Sequence, residues 1–207
     1  TLTAVSPIDG RYSSKTASLS QFFSEYALIY YRLMVEIRWL ESLAANPDIP
    51  EVKTLNDQDK AFLQNILNQF DEEQAWLVKD FERQTNHDVK AVEYYLQTKL
   101  DKQDNLRTLK PFIHFACTSE DINNIAYALM TKDAISQRIQ PYLAEIIAGI
   151  TLLGKKHAED AMLARTHGQP ASPTTMGKEL INFAARLKRP MQQLLEVLIP
   201  AKCLLSL

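Results

Sequence analysis

Glycine and cysteine are both scarce in this chain. It holds 5 glycines in 207 residues, and no glycine-rich fingerprint of a nucleotide-binding loop occurs. The two cysteines, Cys117 and Cys203, form neither a metal-ligand spacing nor a disulfide framework. The cysteine pattern is typical of free thiols in a reducing compartment, so we expect a cytoplasmic protein. The scarcity of glycine predicts that no glycine-rich phosphate loop is present.

The chain also lacks an excess of charge of either sign and a long hydrophobic run. Lys and Arg total 23 against 25 Asp and Glu, and the formal charge of -2 provides no general attraction for nucleic acid or an anionic membrane. The longest apolar stretch, residues 141–154, carries Glu145 and falls short of the ~20 apolar residues that a membrane span needs. The start of the chain has no signal-peptide pattern. We therefore expect no nucleic-acid or membrane partner, and any anion must be bound locally.

Helical periodicity is the main feature that the sequence does have. Apolar residues return at helical spacing in most segments, and no strand pattern is strong enough to predict a sheet. Long helices with so few glycines are typical of a bundle. The predicted helices span residues 19–43, 56–70, 72–82, 88–100, 122–139, 141–161 and 178–197.

The predicted fold class is therefore all-α, with two parts. The polar stretch 101–110, which ends at Pro111, is the candidate boundary. Residues 1–110 are predicted to form a small N-terminal helical domain. Residues 111–207 are predicted to form the first part of a long central helical bundle.

The first chemically notable segment is Ser-Pro-Ile-Asp-Gly-Arg-Tyr, at residues 6–12, ahead of the first long helix. Its Arg11 and Tyr12 place a planar five-donor cation beside a phenol, a pair suited to a phosphate or a carboxylate. An ordinary exposed turn is the alternative interpretation.

The second segment is Asn86-His87-Asp88, at the entrance to a predicted helix. In one interpretation Asp88 caps the helix and His87 is incidental. In the other, His87 faces a cleft, and Asn86 or Asp88 fixes its tautomer. The residues alone leave both interpretations open.

The third segment runs from Thr118 to Asn123 and has capping-box spacing between Thr118 and Asp121. Two hydroxyls, those of Thr118 and Ser119, at a helix N-terminus also form a potential anion site, although Glu120 and Asp121 partly oppose it. The two roles are compatible if one hydroxyl caps the helix and the other binds.

The fourth segment, residues 164–179, interrupts two helical patterns with a loop centred on His167. Prolines and glycines fix or turn its backbone, which predicts a histidine held in place for chemistry rather than packing. By contrast, His114 lies among apolar residues and His157 on a helix surface, so both are predicted to be structural. The prolines and glycines of this loop are Pro170, Pro173, Gly168 and Gly177.

Together, and in this order and spacing, the four segments resemble the bacterial long-chain adenylosuccinate lyases, within the fumarase and aspartase superfamily. The resemblance covers residues 1 to 197. It implies elimination of fumarate from adenylosuccinate to give AMP, and from the succinylated aminoimidazole carboxamide ribotide in purine biosynthesis. It also implies a nucleotide substrate, no metal or organic cofactor, and a homotetramer with sites shared between subunits.

The resemblance further implies roles for individual residues. His167 is the general acid for the departing amine. Arg11 and Tyr12 hold the region of the nucleotide phosphate. Substrate contact and orientation fall to Asn86, His87 and Asp88, and the succinyl part is bound by Thr118 and Ser119.

One family motif does not occur in this sequence. The family's catalytic base is a serine in a loop of the form Ser-Ser-x-Met-Pro-x-Lys-x-Asn, which is not found here. From about residue 198 the sequence departs from the family pattern, and Pro200 is expected to end the last helix. We therefore expect a truncated member of the family. The alternative is a catalytically incomplete helical fragment that associates with intact subunits.

Overall fold

A computed structural model describes residues 3–201 of the chain. Cys203 and the end of the unusual tail lie outside these residues. The fold divides into two compact units, the first reaching Lys132 and the second spanning Asp133–Ile199. This division falls within a continuous helical run, so a domain boundary near residue 110 stays a prediction.

The first unit is helical. Short 3-10 turns at Ala17–Leu19 and Lys110–Phe112 join its elements. Its helices are α1 (Ser13–Thr16), α2 (Ser20–Phe23), α3 (Glu25–Ala45), α4 (Asp57–Asn68), α5 (Glu72–Thr85), α6 (Asp88–Leu100), α7 (Asp104–Arg107) and α8 (Ser119–Ala134), whose last two residues belong to the second unit.

Helix α3 is the centre of the first unit because it is buried on more than one side. One face contributes Leu33 and Ile37 to a cluster with residues of α4, α5 and α6. Another face places Tyr31 and Val35 against Ile122 of α8 and its neighbours. Each fully buried aliphatic side chain contributes about 1.5–3 kcal/mol, so this helix fixes the positions of α6 and α8 relative to each other.

The cap predicted between Thr118 and Asp121 is confirmed, and α4 begins with a cap of the same kind. At the start of α4, the Asn56 side chain accepts the Asp59 N–H at 2.8 Å, and Asp59 accepts the Asn56 N–H at 3.2 Å. At the start of α8, Thr118 and Asp121 make the same reciprocal arrangement. Both satisfy backbone donors that the first helical turn leaves unpaired.

The second unit contains the end of α8, a π-helical turn at Ile135–Ile139, α9 (Gln140–Lys156), the strands β1 (Ala161–Thr166) and β2 (Gln169–Thr175), and α10 (Met176–Glu196). Pro141 lies in the first turn of α9, directly after the π-helical turn. The expected helix to residue 161 was wrong at its end, since α9 stops at Lys156.

The absence of any sheet was also a wrong expectation. Strands β1 and β2 form an antiparallel hairpin with Met162 opposite Thr174, and the register is irregular between Leu163 and Arg165. Pro170 and Pro173 hide the strand pattern in the sequence. In a two-stranded hairpin both strands are edges, and edge strands are where a proline is tolerated. The fold remains predominantly helical.

Helices α9 and α10 are in close contact at Gly154 and Gly177, which leads to a stability prediction. A Cβ added at Gly177 would meet the backbone of Gly154 and lie 2.6 Å from the Ala158 Cα. Backbone cannot move aside as a flexible side chain can, so we expect Gly177→Ala to lower the opening free energy of these helices by about 1–3 kcal/mol. Hydrogen exchange of α9 and α10 amides measures this free energy.

The matched control is Gly149→Ala in α9, where an added Cβ meets nothing within 4 Å. Alanine is the better helix former, so this variant should gain up to about 1 kcal/mol. Equal effects of the two substitutions would contradict the close approach at Gly177.

Candidate active site

The N-terminal segment forms a surface turn that leads into α1. The Gly10 N–H donates to the Ser6 carbonyl at 3.0 Å, and the Thr16 hydroxyl donates to the Ile8 carbonyl at 3.1 Å. The Arg11 guanidinium lies 4.6 Å from the centroid of the Tyr12 ring, and both side chains are exposed. This stacked pair presents its N–H and O–H donors to solvent, where an anionic group can reach them.

The second segment links α5 to α6, and here the structure corrects the predicted cap. His87, not Asp88, is the N-cap of α6: its Nδ1 accepts the Lys90 N–H at 3.2 Å, and Asp88 is the first helical residue. Asn86 adopts a left-handed conformation with φ of 51°, as is common after a helix end. Because Nδ1 accepts a hydrogen bond, the neutral ring carries its proton on Nε2. The exposed His87 therefore offers an Nε2–H donor.

Asp88 is held by a residue that the sequence analysis missed. The Arg32 Nη2 donates to Asp88 Oδ2 at 2.6 Å, and the Val89 N–H donates to Asp88 Oδ1 at 2.9 Å. Partial burial acts to raise the pKa of Asp88, but the Arg32 charge and these hydrogen bonds outweigh it, and the pKa lies below its ordinary value. Asp88 is therefore an ionised, positioned carboxylate. The only signal in the sequence is a charged Arg32 within the apolar stripe of α3.

The two hydroxyls of the third segment differ in their hydrogen bonding. Asp121 Oδ2 accepts both the Thr118 N–H at 2.7 Å and the Thr118 hydroxyl at 2.9 Å, which completes the cap of α8. Among residues 3–201, the Ser119 hydroxyl makes no hydrogen bond, and Ser119 is half-buried. Thr118 is thus engaged in the cap, whereas Ser119 remains available to a ligand.

The chain that approaches Thr118 is held by a second buried group that the sequence analysis missed. Glu36 of α3 is fully buried, and its carboxylate accepts the backbone N–H of His114 at 3.1 Å. Its other oxygen lies 2.7 Å from His114 Nδ1, while Glu93 Oε1 lies 3.9 Å from the same nitrogen. His114 is therefore structural, as predicted, and it fixes a backbone with φ of 62° just before α8.

This pair predicts a pH dependence of stability. Burial raises the pKa of Glu36, and the hydrogen bond to Glu36 raises the pKa of His114. Both directions mean that the folded state binds more protons, so stability falls as pH rises. The contribution of His114 is complete below its ordinary pKa of ~6.5 and is lost as pH rises through the raised value, with a slope of up to about 1.4 kcal/mol per pH unit.

Urea unfolding from about pH 5, below the ordinary histidine pKa of ~6.5, to about pH 9 checks this prediction. Trp39 and Trp76 both lie in the first unit, so their fluorescence reports its unfolding. We expect His114→Gln to reduce the slope, with the remainder due to the buried Glu36. The control is His157→Gln, since His157 Nδ1 lies 2.6 Å from Asp160 in the second unit. An unchanged slope in His114→Gln would refute the role assigned to the buried pair.

The fourth segment lies in the second unit. His167 and Gly168 form the two-residue turn between β1 and β2, with φ of 50° and 76°, as in a type I′ hairpin turn. The imidazole is exposed at the tip of this turn. Downstream, the Thr175 hydroxyl accepts the Lys178 N–H at 3.2 Å and caps α10. The turn geometry fixes the His167 backbone and leaves the ring exposed to solvent.

The structure brings together two of the four segments. Arg32 contacts Asp88 of the second segment and Asn123 of the third, so one buried side chain joins them. Among residues 3–201, no hydrogen bond joins the turn at 6–12 to either segment. His167 belongs to the second unit, whereas the other seven candidate residues belong to the first.

Residues 3–201 contain neither a metal-binding cluster nor a membrane-spanning helix. Between residues 3 and 201, no group of three or more His, Cys, Asp or Glu side chains has an arrangement that could hold a metal ion. Over the same residues, no helix combines the length and apolar character needed to cross a membrane.

Solved structures with a similar fold are lyases and related enzymes. The fumarate lyase of Mesorhizobium sp. BNC1 superposes with a TM-score of 0.65 at 18% identity, over 86% of this chain and 39% of that one. The 3-carboxy-cis,cis-muconate lactonizing enzyme of Pseudomonas putida gives a TM-score of 0.63 at 19% identity, over 87% and 39%. At such low identity these similarities establish the fold alone.

Curated relatives are far closer in sequence. The chain is 67% identical over 201 residues to the adenylosuccinate lyase of Legionella pneumophila strain Philadelphia 1, covering 97% of this chain and 44% of that protein. It is 50% identical to the enzyme of Vibrio cholerae and 49% identical to that of Escherichia coli K12, with the same coverages. The chain thus spans less than half the length of these relatives.

A protein-family model described as Lyase matches residues 10–205. This match reaches beyond residue 198, into the segment expected to depart from the family pattern. Because the match covers most of the sequence, the chain belongs to the lyase family.

Proposed function

We propose that this chain forms part of an adenylosuccinate lyase, which eliminates fumarate from adenylosuccinate to give AMP and from the succinylated aminoimidazole carboxamide ribotide. The observation that carries the proposal is the 67% identity to the Legionella enzyme over 201 residues. A cytoplasmic role in purine biosynthesis and a homotetramer with shared sites belong to the same proposal.

The reaction requires a base, an acid and fixed donors for anionic groups. A proton leaves the carbon next to a carboxylate while the departing nitrogen gains one. The site therefore needs a base at the carbon and an acid at the nitrogen. His167 is proposed as the acid for the nitrogen. Imidazole suits this task because its ordinary pKa lies near neutrality, and the exposed position of His167 on a hairpin turn supports the assignment.

The substrate-binding roles follow from which groups are available. Arg11 and Tyr12 are proposed to bind the phosphate, since their donors face solvent as a pair. Ser119 is proposed to bind a succinyl carboxylate directly, while Thr118 supports it by capping α8. Neutral donors of this kind stabilise charge when they are fixed in advance.

At the start of α6, some residues are proposed to contact the substrate and another to orient the segment. Asn86 and His87 are proposed to contact the substrate because both are exposed at the start of α6. Asp88 orients this segment, since both its oxygens already accept hydrogen bonds. The relatives are named as enzymes, which favours this proposal over a role confined to association with other subunits.

A chimera tests the proposed function. In it, residues of this chain replace the aligned 201 residues of the Legionella enzyme. We expect the chimera to release fumarate from adenylosuccinate, as measured by absorbance. A folded chimera without turnover, beside an active Legionella parent, would refute the proposal.

A further inference from the structure

Arg32 is a buried charge in the middle of α3, with 4% of the residue exposed. A guanidinium does not deprotonate in proteins, so it is charged in this position as well. Burying an ion costs several kcal/mol unless partners compensate for its lost hydration. The position of Arg32 is therefore tied to the groups that accept its hydrogen bonds.

Those groups belong to two different helix starts. Arg32 Nη2 donates to Asp88 Oδ2 at 2.6 Å, and Arg32 Nε donates to Asn123 Oδ1 at 2.8 Å. Asp88 directly follows His87 at the start of α6, and Asn123 lies about one turn beyond Ser119 in α8. Because the guanidinium is planar and rigid, these two bonds fix the separation and orientation of both partners.

We infer that Arg32 is a positioning residue that couples the two substrate-binding segments, Asn86–Asp88 and Thr118–Ser119, by holding Asp88 and Asn123 together. This inference rests on the proposed function. Arg32 acts through its partners, because it is buried and its Nε and Nη2 already donate to protein groups.

The coupling explains how binding groups that are exposed are held at fixed positions. Asn86 and His87 are exposed, and Ser119 is half-buried, so contacts of their own side chains with the core do not fix them. Packing around α3 holds the two helices together, and the buried Arg32 side chain adds a direct link between the helix starts that carry the donors. Lysine does not replace it, since a compact ammonium on a flexible stem lacks the fork that binds two acceptors in one plane.

A structural test uses the 207-residue chain and amide chemical shifts. Asn123→Ala should shift the amide signals of Asp88 and Val89 when Arg32 is present. In the Arg32→Met background the same substitution should leave these signals unchanged. Arg38→Met is the matched control, because Arg38 lies on the same helix but is exposed and bonds Glu41. Shifts that persist in Arg32→Met would overturn the inference.

A functional test uses the chimera and separates KM from kcat. We expect Arg32→Met to raise the KM for adenylosuccinate about 10-fold or more, by analogy with the loss of groups that orient metal ligands, with a smaller change in kcat. Arg32→Lys, which is less prone to misfold, should give an intermediate KM. Arg38→Met should match the parent.

The outcomes distinguish the inference from the proposed function. If the parent chimera is active and both Arg32 variants keep its KM, the inference is overturned. If the parent is folded but inactive, the proposed function fails, and the chemical-shift test alone then decides whether Arg32 joins the segments.

Discussion

Replacing His167 with asparagine in the chimera should reduce kcat for fumarate release by about 10²–10⁴-fold, the range for loss of a general acid. KM should change little, because the acid acts on the departing nitrogen in the transition state. Asparagine tolerates the positive φ of 50° at this turn, so the hairpin should remain intact. Steady-state kinetics with adenylosuccinate measures both constants.

The matched control is His157→Asn, since His157 lies in the same unit and its ring pairs with Asp160. This variant should keep the kcat of the parent. The pH profile gives a second readout, because the limb that depends on a protonated acid should vanish with His167. If His167→Asn retains the kcat and pH profile of the parent, another group supplies the proton.

Replacing Arg11 with methionine should weaken phosphate binding by about 10- to 150-fold, which corresponds to the 1.5–3 kcal/mol of a hydrogen bond to a charged group. We expect the inhibition constant of AMP, measured against adenylosuccinate turnover by the chimera, to rise by this factor. Inhibition by adenosine, which lacks the phosphate, should not change. Arg11→Lys should recover only part of the loss, because lysine binds as a point charge without the two-pronged contact.

The control for Arg11 is Lys15→Met, one turn further along and also exposed. A general electrostatic contribution would weaken AMP binding equally in both variants. Equal losses for Lys15→Met and Arg11→Met, or equal losses for AMP and adenosine, would contradict a phosphate site at Arg11.

Features that depend on local sequence could be predicted well. The caps at Asn56 and Thr118 need only residues three positions apart, and the structure contains both. The helical periodicity likewise predicted most of α3, although the helix predicted from residue 19 is interrupted at Ser24, whose extended backbone caps α3. Local hydrogen bonds and spacing decide these features, and the sequence contains them directly.

The missed features depend on contacts between distant segments. Arg32 and Asn123 are 91 positions apart, and Glu36 and His114 are 78 apart, so no local pattern reveals either pair. The hairpin around His167 was missed because its prolines are acceptable only in edge strands. His87 rather than Asp88 caps α6, and the Asp88 carboxylate instead accepts hydrogen bonds from Arg32 and the Val89 N–H.

The central claim is that this chain folds as part of a lyase and contributes His167 to its site. The most direct measurement is fumarate release after the chain is co-refolded with the full-length Legionella enzyme carrying alanine in place of the histidine that matches His167. Neither protein alone should be active, and the mixture should show turnover that the His167→Ala chain does not restore. A folded chain that joins the enzyme but yields no turnover would contradict the account.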